Sequence, residues 1–334
     1  MNNLIYLSFF LLLTLNSCFK EENLSRPDLP NVENTAIIEM GPQYANQFFY
    51  NLSENRVISQ NSRFAYDLLF ENAADRFYIW LNTAKFMSVL KTSQTTLSQT
   101  SISDTAGRMW HYELGAFDTD SSAISRWGDF SQLSPISDRS VYILNLGKDE
   151  TDAPLGFVKF QLEDFDYNLN SYVIRYARFD DNTIQTARVE KEPSRVYRYF
   201  RFSPGQEIVN SIEPPKTEWD FCFTRYTYIF YEPYYLPYLV TGVLANPERI
   251  EAYVDSTLNY ANVGIGTIDF NRLSRKRDAI GYDWKYYETG DYFTKEYFTY
   301  FIRRNGDRLY KMRFITFKKD AVWGYPTFEY SLLQ

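Results

Sequence analysis

The chain has 334 residues, enough for one large or two ordinary domains, with 45% apolar and 19% aromatic residues. Its formal charge of −7 argues against nucleic-acid partners, because an acidic surface repels a phosphate backbone. A single histidine, His111, removes most routes to a side-chain zinc site and to histidine-based acid–base chemistry, and no metal site of that kind is expected.

Leu4 to Leu15 is an apolar run of about a dozen residues, the length of a signal-peptide core and short for a bilayer span. It ends in Leu15-Asn16-Ser17-Cys18, which resembles a bacterial lipobox. Residues 1–17 therefore read as a lipoprotein signal peptide, and Cys18 as the lipidated first residue of the mature chain, a palmitate carrier. An ordinary signal peptide with a chance cysteine is the less favoured reading, although Met1-Asn2-Asn3 lacks the usual Lys or Arg. Phe19-Lys20-Glu21-Glu22 resembles the Lys-then-acidic export tag of surface lipoproteins; a solvated charge cluster is the plainer reading. Residues 18–34, with Pro27 and Pro30, read as a flexible tether, and 35–334 as the folded part. With Cys18 lipidated, Cys222 stands alone and reads as a small buried thiol rather than a nucleophile.

Gln47 to Leu52 opens the folded part. Arg63 to Phe70 and Arg76 to Asn82 are strand-like and flank a hairpin turn at Glu71 to Asp75. Lys91 to Asp104 is rich in Ser, Thr and Gln and reads as a surface loop. Val141 to Gly147, Val158 to Leu162, Tyr172 to Tyr176, Ile184 to Val189 and Arg195 to Phe202 form a meander at short, regular spacing, which argues for antiparallel sheets. Two similar halves would meet near 200–216.

After Pro214-Pro215 comes Trp219-Asp220-Phe221-Cys222-Phe223-Thr224. Period two puts Trp219, Phe221 and Phe223 on one face and Asp220, Cys222 and Thr224 on the other. Tyr66-Asp67-Leu68-Leu69-Phe70 echoes it, and Asp67 and Asp220 are expected to hold turn or loop backbone by hydrogen bonds. So short a match reads as convergent strand packing in preference to duplication. Tyr226 to Tyr238 is rich in tyrosine and broken by Pro233 and Pro237; core packing is the plain reading, and a ligand-facing loop carrying Tyr228, Tyr231, Tyr234 and Tyr235 the sharper one. Asn246 to Tyr253 reads as a short helix, with Asn246 as its cap. Arg272, Arg275, Lys276 and Arg277 read as an exposed basic loop in preference to an anion site. Asn305-Gly306 between apolar strands predicts a hairpin, whose return strand puts Tyr310, Met312 and Phe314 on one face.

Taken together, Trp219 to Tyr226, Val240 to Leu244, Tyr310 to Ile315 and Gly324 to Tyr330, with Tyr142 to Gly147 and Leu155 to Lys159, resemble the HmuY family, haem-binding surface lipoproteins of Bacteroidetes. The resemblance implies an all-β, antiparallel multi-stranded architecture with one or two short helices. It also implies outer-membrane anchoring through lipid, cell-surface exposure and iron acquisition by haem capture. A TonB-dependent receptor would be the partner for delivery and a host haem protein a partner for supply. The best-known member clamps haem iron between two histidines, which one histidine cannot do within one chain. Relatives use methionine, so the resemblance makes His111, Met109, Met87 and Met312 the candidate haem ligands. Met109 and His111, two apart, share a side if extended and so suit one face of a porphyrin rather than both. Tyrosine can also ligate haem iron.

A second reading keeps the fold and replaces haem by a glycan, a siderophore or a partner protein; Tyr and Trp suit both stacking and interfaces. Asp118 with Asp120, and Asp180 with Asp181, are acid pairs of the kind usually solvated in loops. Without a metal motif, nucleophile elbow or histidine dyad, no enzyme is expected.

Overall fold

In the computed structural model, residues 33–132, 135–181 and 183–333 are described. Strands account for nearly all regular structure, and the helical pieces among the described residues are 3-10 turns of three or four residues. The chain is all-β and antiparallel. One sheet orders Asn34–Ile37, Val322–Leu332, Arg308–Lys319, Thr299–Arg304 and Ile250–Asp255. A second orders Leu236–Ala245, Phe221–Phe230, Asn46–Asn51 and Arg56–Ser62. A third orders Tyr197–Phe200, Leu68–Glu71 and Ile79–Leu81. A fourth orders Gln185–Glu190, Ser171–Arg178, Phe157–Asp166, Val141–Asn145, Ser88–Lys91 and His111–Tyr112.

Strand alternation stacks these four sheets. Leu68 and Phe70 enter a core shared with Phe160, Tyr172 and Ile174 of the six-stranded sheet, while Leu69 between them faces the other way. Phe221 and Phe223 enter a core shared with Ile302, Met312 and Phe328 of the five-stranded sheet, while Cys222 faces the other way. Leu69 and Cys222 meet in a central core with Phe49, Trp80, Tyr199 and Trp219. The three- and four-stranded sheets are thus covered on both faces along Leu68–Glu71, Ile79–Leu81 and the Phe221 to Thr224 end, where successive residues are all buried. Each fully buried Phe, Leu or Ile contributes on the order of 2 kcal/mol by removing apolar surface from water.

The Tyr-Asp and Trp-Asp motifs carry the same set of hydrogen bonds. Asp67 N donates to Phe200 O (2.7 Å) and Asp220 N to Tyr50 O (2.8 Å). Asp67 Oδ2 accepts from Phe202 N (2.8 Å) and Asp220 Oδ2 from Leu52 N (2.9 Å). The Asp67 carbonyl accepts from Asn82 N, and that of Asp220 from Asn246 N. Asn82 Nδ2 donates to Arg63 O and Tyr66 O; Asn246 Nδ2 donates to Lys216 O and Trp219 O. Three residues after each Asn stands the buried cation that pairs with the Asp, Lys85 in the first copy and Arg249 in the second. The match extends the echo seen in sequence to the whole network around it, so the chain carries two structurally alike copies of one arrangement. Ser171–Arg178 closes the first copy and Gln185–Glu190 opens the second. Each copy lends its leading strands to the other: Asn34–Ile37 pairs with Val322–Leu332, and Gln185–Glu190 with Ser171–Arg178. This exchange binds residues 32–334 into one unit.

Three local expectations change. Trp219 does not share a face with Phe221 and Phe223, because the strand begins at Phe221 and Trp219 turns into the central core to donate from Nε1 to Glu213 (3.3 Å). The helix expected at Asn246 to Tyr253 is a single turn. Asn246 caps it through Glu248 N, but β-branched and aromatic residues then carry Ile250–Asp255 into the five-stranded sheet. Arg277 does not lie in an exposed loop but is buried. Thr299–Arg304 and Arg308–Lys319 form the Asn-Gly hairpin, with Asn305 and Gly306 at φ of 53° and 84° as such a turn requires.

Candidate functional site

The two copies differ most where the second is longer. From Asp to Asn is 15 positions in the first copy (82 − 67) and 26 in the second (246 − 220). The extra residues lengthen Phe221–Phe230 and Leu236–Ala245 into a hairpin that outreaches Leu68–Glu71 and Ile79–Leu81. Its tip exposes Phe230, Tyr231, Tyr234, Tyr235, Leu236 and Tyr238, with a cis Glu232–Pro233 bond between the strands. Tyr231 and Tyr235 meet edge to face at 6.0 Å, and Tyr228 packs on Phe230 and on Tyr282 at 5.0 and 4.8 Å. Contiguous exposed apolar surface of this kind marks a binding surface more often than a neutral one.

The segment carrying the only imidazole lies against this hairpin. His111–Tyr112 is an edge strand paired with Ser88 and Val89. Met109 and His111 are exposed, while Trp110 and Tyr112 turn inward onto Phe157 (5.7 Å) and Phe86 (4.9 Å). Two contacts fix the segment to the hairpin. Gly115 N donates to Thr227 O at 3.0 Å, and a Cβ on Gly115 would stand 2.3 Å from the Tyr226 ring, so only glycine permits the approach. At the tip, burial raises the Tyr235 phenol, and hydrogen bonding with the Tyr112 backbone offsets part of the rise. Glu113, two residues beyond His111, accepts from Leu81 N at 3.0 Å, and burial pushes its carboxyl up to about 7.

The candidates therefore separate. Met87 and Met312 are 1% and 0% exposed and sit in different cores, beyond reach of a surface ligand and of each other. Met109 and His111 are exposed on the edge segment that Tyr235 reaches at the Tyr112 backbone, Tyr231 and Tyr234 are exposed at the hairpin tip, and Tyr228 is half-buried. These residues do not fit a two-sided haem clamp within one chain. They leave His111 as one exposed imidazole, enough for a single axial ligand. Trp219, Asp220 and Asp67 are buried and structural. Burial pushes the Cys222 thiol up to about 12, which leaves it a poor nucleophile. Cys18 lies outside the described residues, as do residues 1–17, expected to be a signal peptide, and nearly all of the expected tether.

Trp110, Tyr112, Gly115 and Phe157 belong to the site and escaped the sequence reading. The alternation of Met109 to Tyr112 was the available signal; the role of Gly115 had none, since it depends on Tyr226 more than a hundred residues away. No family model and no curated protein matches the chain. Among the described residues no helix is long and apolar enough to cross a membrane, and no group of three or more His, Cys, Asp or Glu could hold a metal ion.

Proposed function

We propose that this protein is a lipid-anchored, surface-exposed lipoprotein of the HmuY type that binds haem or a related porphyrin and passes it to an outer-membrane uptake receptor. The observation that carries the reading is that the edge strand bearing the chain's only imidazole meets the long hairpin, Tyr235 reaching the Tyr112 backbone, with further tyrosines exposed at the hairpin tip. His111 supplies the axial nitrogen on one face of the macrocycle, and the Tyr231, Tyr234 and Tyr235 rings offer an apolar wall with hydroxyl handles. The open second face suits a protein that gives its ligand up. Hemin titrated into the protein is expected to give a saturable Soret band that His111→Ala shifts or abolishes and that Met87→Leu and Met312→Leu leave intact. Absence of both a band and saturable tryptophan quenching sinks the reading.

The hairpin tip favours a second reading by itself. Six large exposed aromatic or apolar side chains on one turn form a platform for a glycan, a siderophore or a partner protein without any iron ligand. A ligand whose affinity falls with Tyr234→Ser but not with His111→Ala would select it.

A further inference from the structure

The buried Asp67–Lys85 pair borders an open cavity of about 380 Å³, within the size range of small-molecule sites. Phe64, Leu146, Leu155 and Phe202 give it an apolar lining, and Arg178 and Arg201 add two guanidiniums. Strand alternation brings Arg178 here. Tyr176, two residues before it, packs on Phe202 at 5.2 Å, so Arg178 leaves Ser171–Arg178 on the same face. Its Nη2 donates to Leu155 O at 3.1 Å. Arg201 Nη2 donates to Oε1 of Gln206, also at 3.1 Å, and Gln206 is part of the same wall. The lining of one cavity therefore holds both guanidiniums.

The second copy closes the corresponding place with a side chain. There Arg304 Nε donates to both oxygens of Asp220. Ser88 and Ala252 each lie six residues after the matched asparagine, Asn82 and Asn246. Ser88 pairs with Asn145 and Ala252 with Ile302, which puts Gly147 at the position of Arg304. Glycine sends nothing towards Asp67, and a Cβ at Gly147 would stand 2.0 Å from Lys85 O.

The acids around the cavity are engaged within the protein. Asp67 accepts from Lys85 Nζ and Phe202 N. Asp149 Oδ1 accepts from Thr151 N, Thr151 Oγ1 and Ala153 N. Arg178 has Asp180 at 3.7 Å, an exposed and weak pair. Arg201 is in no ion pair among the described residues, and its Nε is buried without a hydrogen-bond partner. A ligand ammonium or guanidinium would meet Lys85, Arg178 and Arg201 together. A carboxylate would meet planar N–H forks that match its two oxygens.

We propose that this cavity is a binding site for a small organic carboxylate, its charged end on Arg178 and Arg201 and its apolar body against Phe64, Leu146, Leu155 and Phe202. None of these residues belongs to the hairpin site, so the two would bind independently.

The test is fluorine NMR of 4-fluorophenylacetate titrated with the purified protein, beside its neutral amide and 4-fluorophenethylamine. The expected result is saturable line broadening for the carboxylate. Affinity is expected to fall about tenfold or more for the amide, for Arg201→Gln and, separately, for Arg178→Gln, the loss of one charge-assisted hydrogen bond. Crystals soaked in 4-bromophenylacetate are expected to show an anomalous bromine peak in the cavity, which needs no variant. No saturable broadening, an amide or amine that binds as tightly, undiminished affinity in the folded arginine variants, or a bromine peak elsewhere would each overturn the proposal.

Discussion

Asp220→Asn tests the repeat at its most charged point. The carboxylate is fully buried; Oδ1 accepts from Arg249 Nε and Arg304 Nε, both at 2.9 Å, and Oδ2 accepts from Leu52 N at 2.9 Å and Arg304 Nε at 3.0 Å. The amide keeps the shape and one acceptor but removes the charge that answers two guanidiniums whose side chains are 8% and 7% exposed. Breaking a buried pair from one side costs roughly 3–5 kcal/mol, because the partner is left charged in a poor solvent. With an unfolding entropy of about 2.1 cal/mol/K per residue over some 300 residues, a loss of about 4 kcal/mol lowers Tm by about 6 °C. Calorimetry with urea unfolding measures both. Asp67→Asn is expected to cost less, because it leaves one cation unpaired, Lys85, where Asp220→Asn leaves two, Arg249 and Arg304. Adding Arg304→Met to Asp220→Asn is expected to recover part of the loss. An Asp220→Asn protein within about 1 kcal/mol of the parent, or no recovery in the double variant, would refute the reasoning.

The Glu113 carboxyl, held near 7 by burial, makes stability fall as pH rises. Below its unfolded value of 4.5 both states are protonated; between 4.5 and about 7 only the unfolded state ionises; above that the deficit is constant at roughly 3.5 kcal/mol. Glu113→Gln keeps an acceptor for Leu81 N and is expected to gain stability at pH 8 by up to that amount and none at pH 4; a difference that does not vary with pH contradicts this. Gly115→Ala drives a Cβ into the buried Tyr226 ring and is expected to cost about 1–3 kcal/mol and to weaken ligand binding with it; unchanged Tm and affinity would show that the contact does not matter. In a protein beginning after Cys18, Cys222 is expected to react with a thiol reagent only on unfolding, and fast stoichiometric labelling of the native state would contradict its burial.

The candidate site was half legible. His111, Met109 and the tyrosine-rich segment are visible as residue types, and the turn around Pro233 can be read from sequence. What brings their two segments together is a close approach of Gly115 to Tyr226 and Thr227, and close approaches leave no local signature. Met87 and Met312 show the converse: a thioether in an apolar strand looks the same in sequence whether it faces a ligand or a core, and only the stacking of sheets decided that both face cores.

Alternation of apolar and polar residues, and turn chemistry at Asn305-Gly306, determine strands and hairpins by themselves, because side-chain period and backbone φ are local properties. The echo of Trp219-Asp220 in Tyr66-Asp67 was likewise present in the sequence, as were Asn82 and Asn246. Their meaning was not, since each Asp is answered by backbone from the other copy, Phe202 for Asp67 and Leu52 for Asp220. Long-range pairing is chosen by which partner satisfies a buried group most completely, a property of the whole packed chain. That choice made the two halves one interlocked unit and left the longer hairpin of the second copy free to carry the tyrosines.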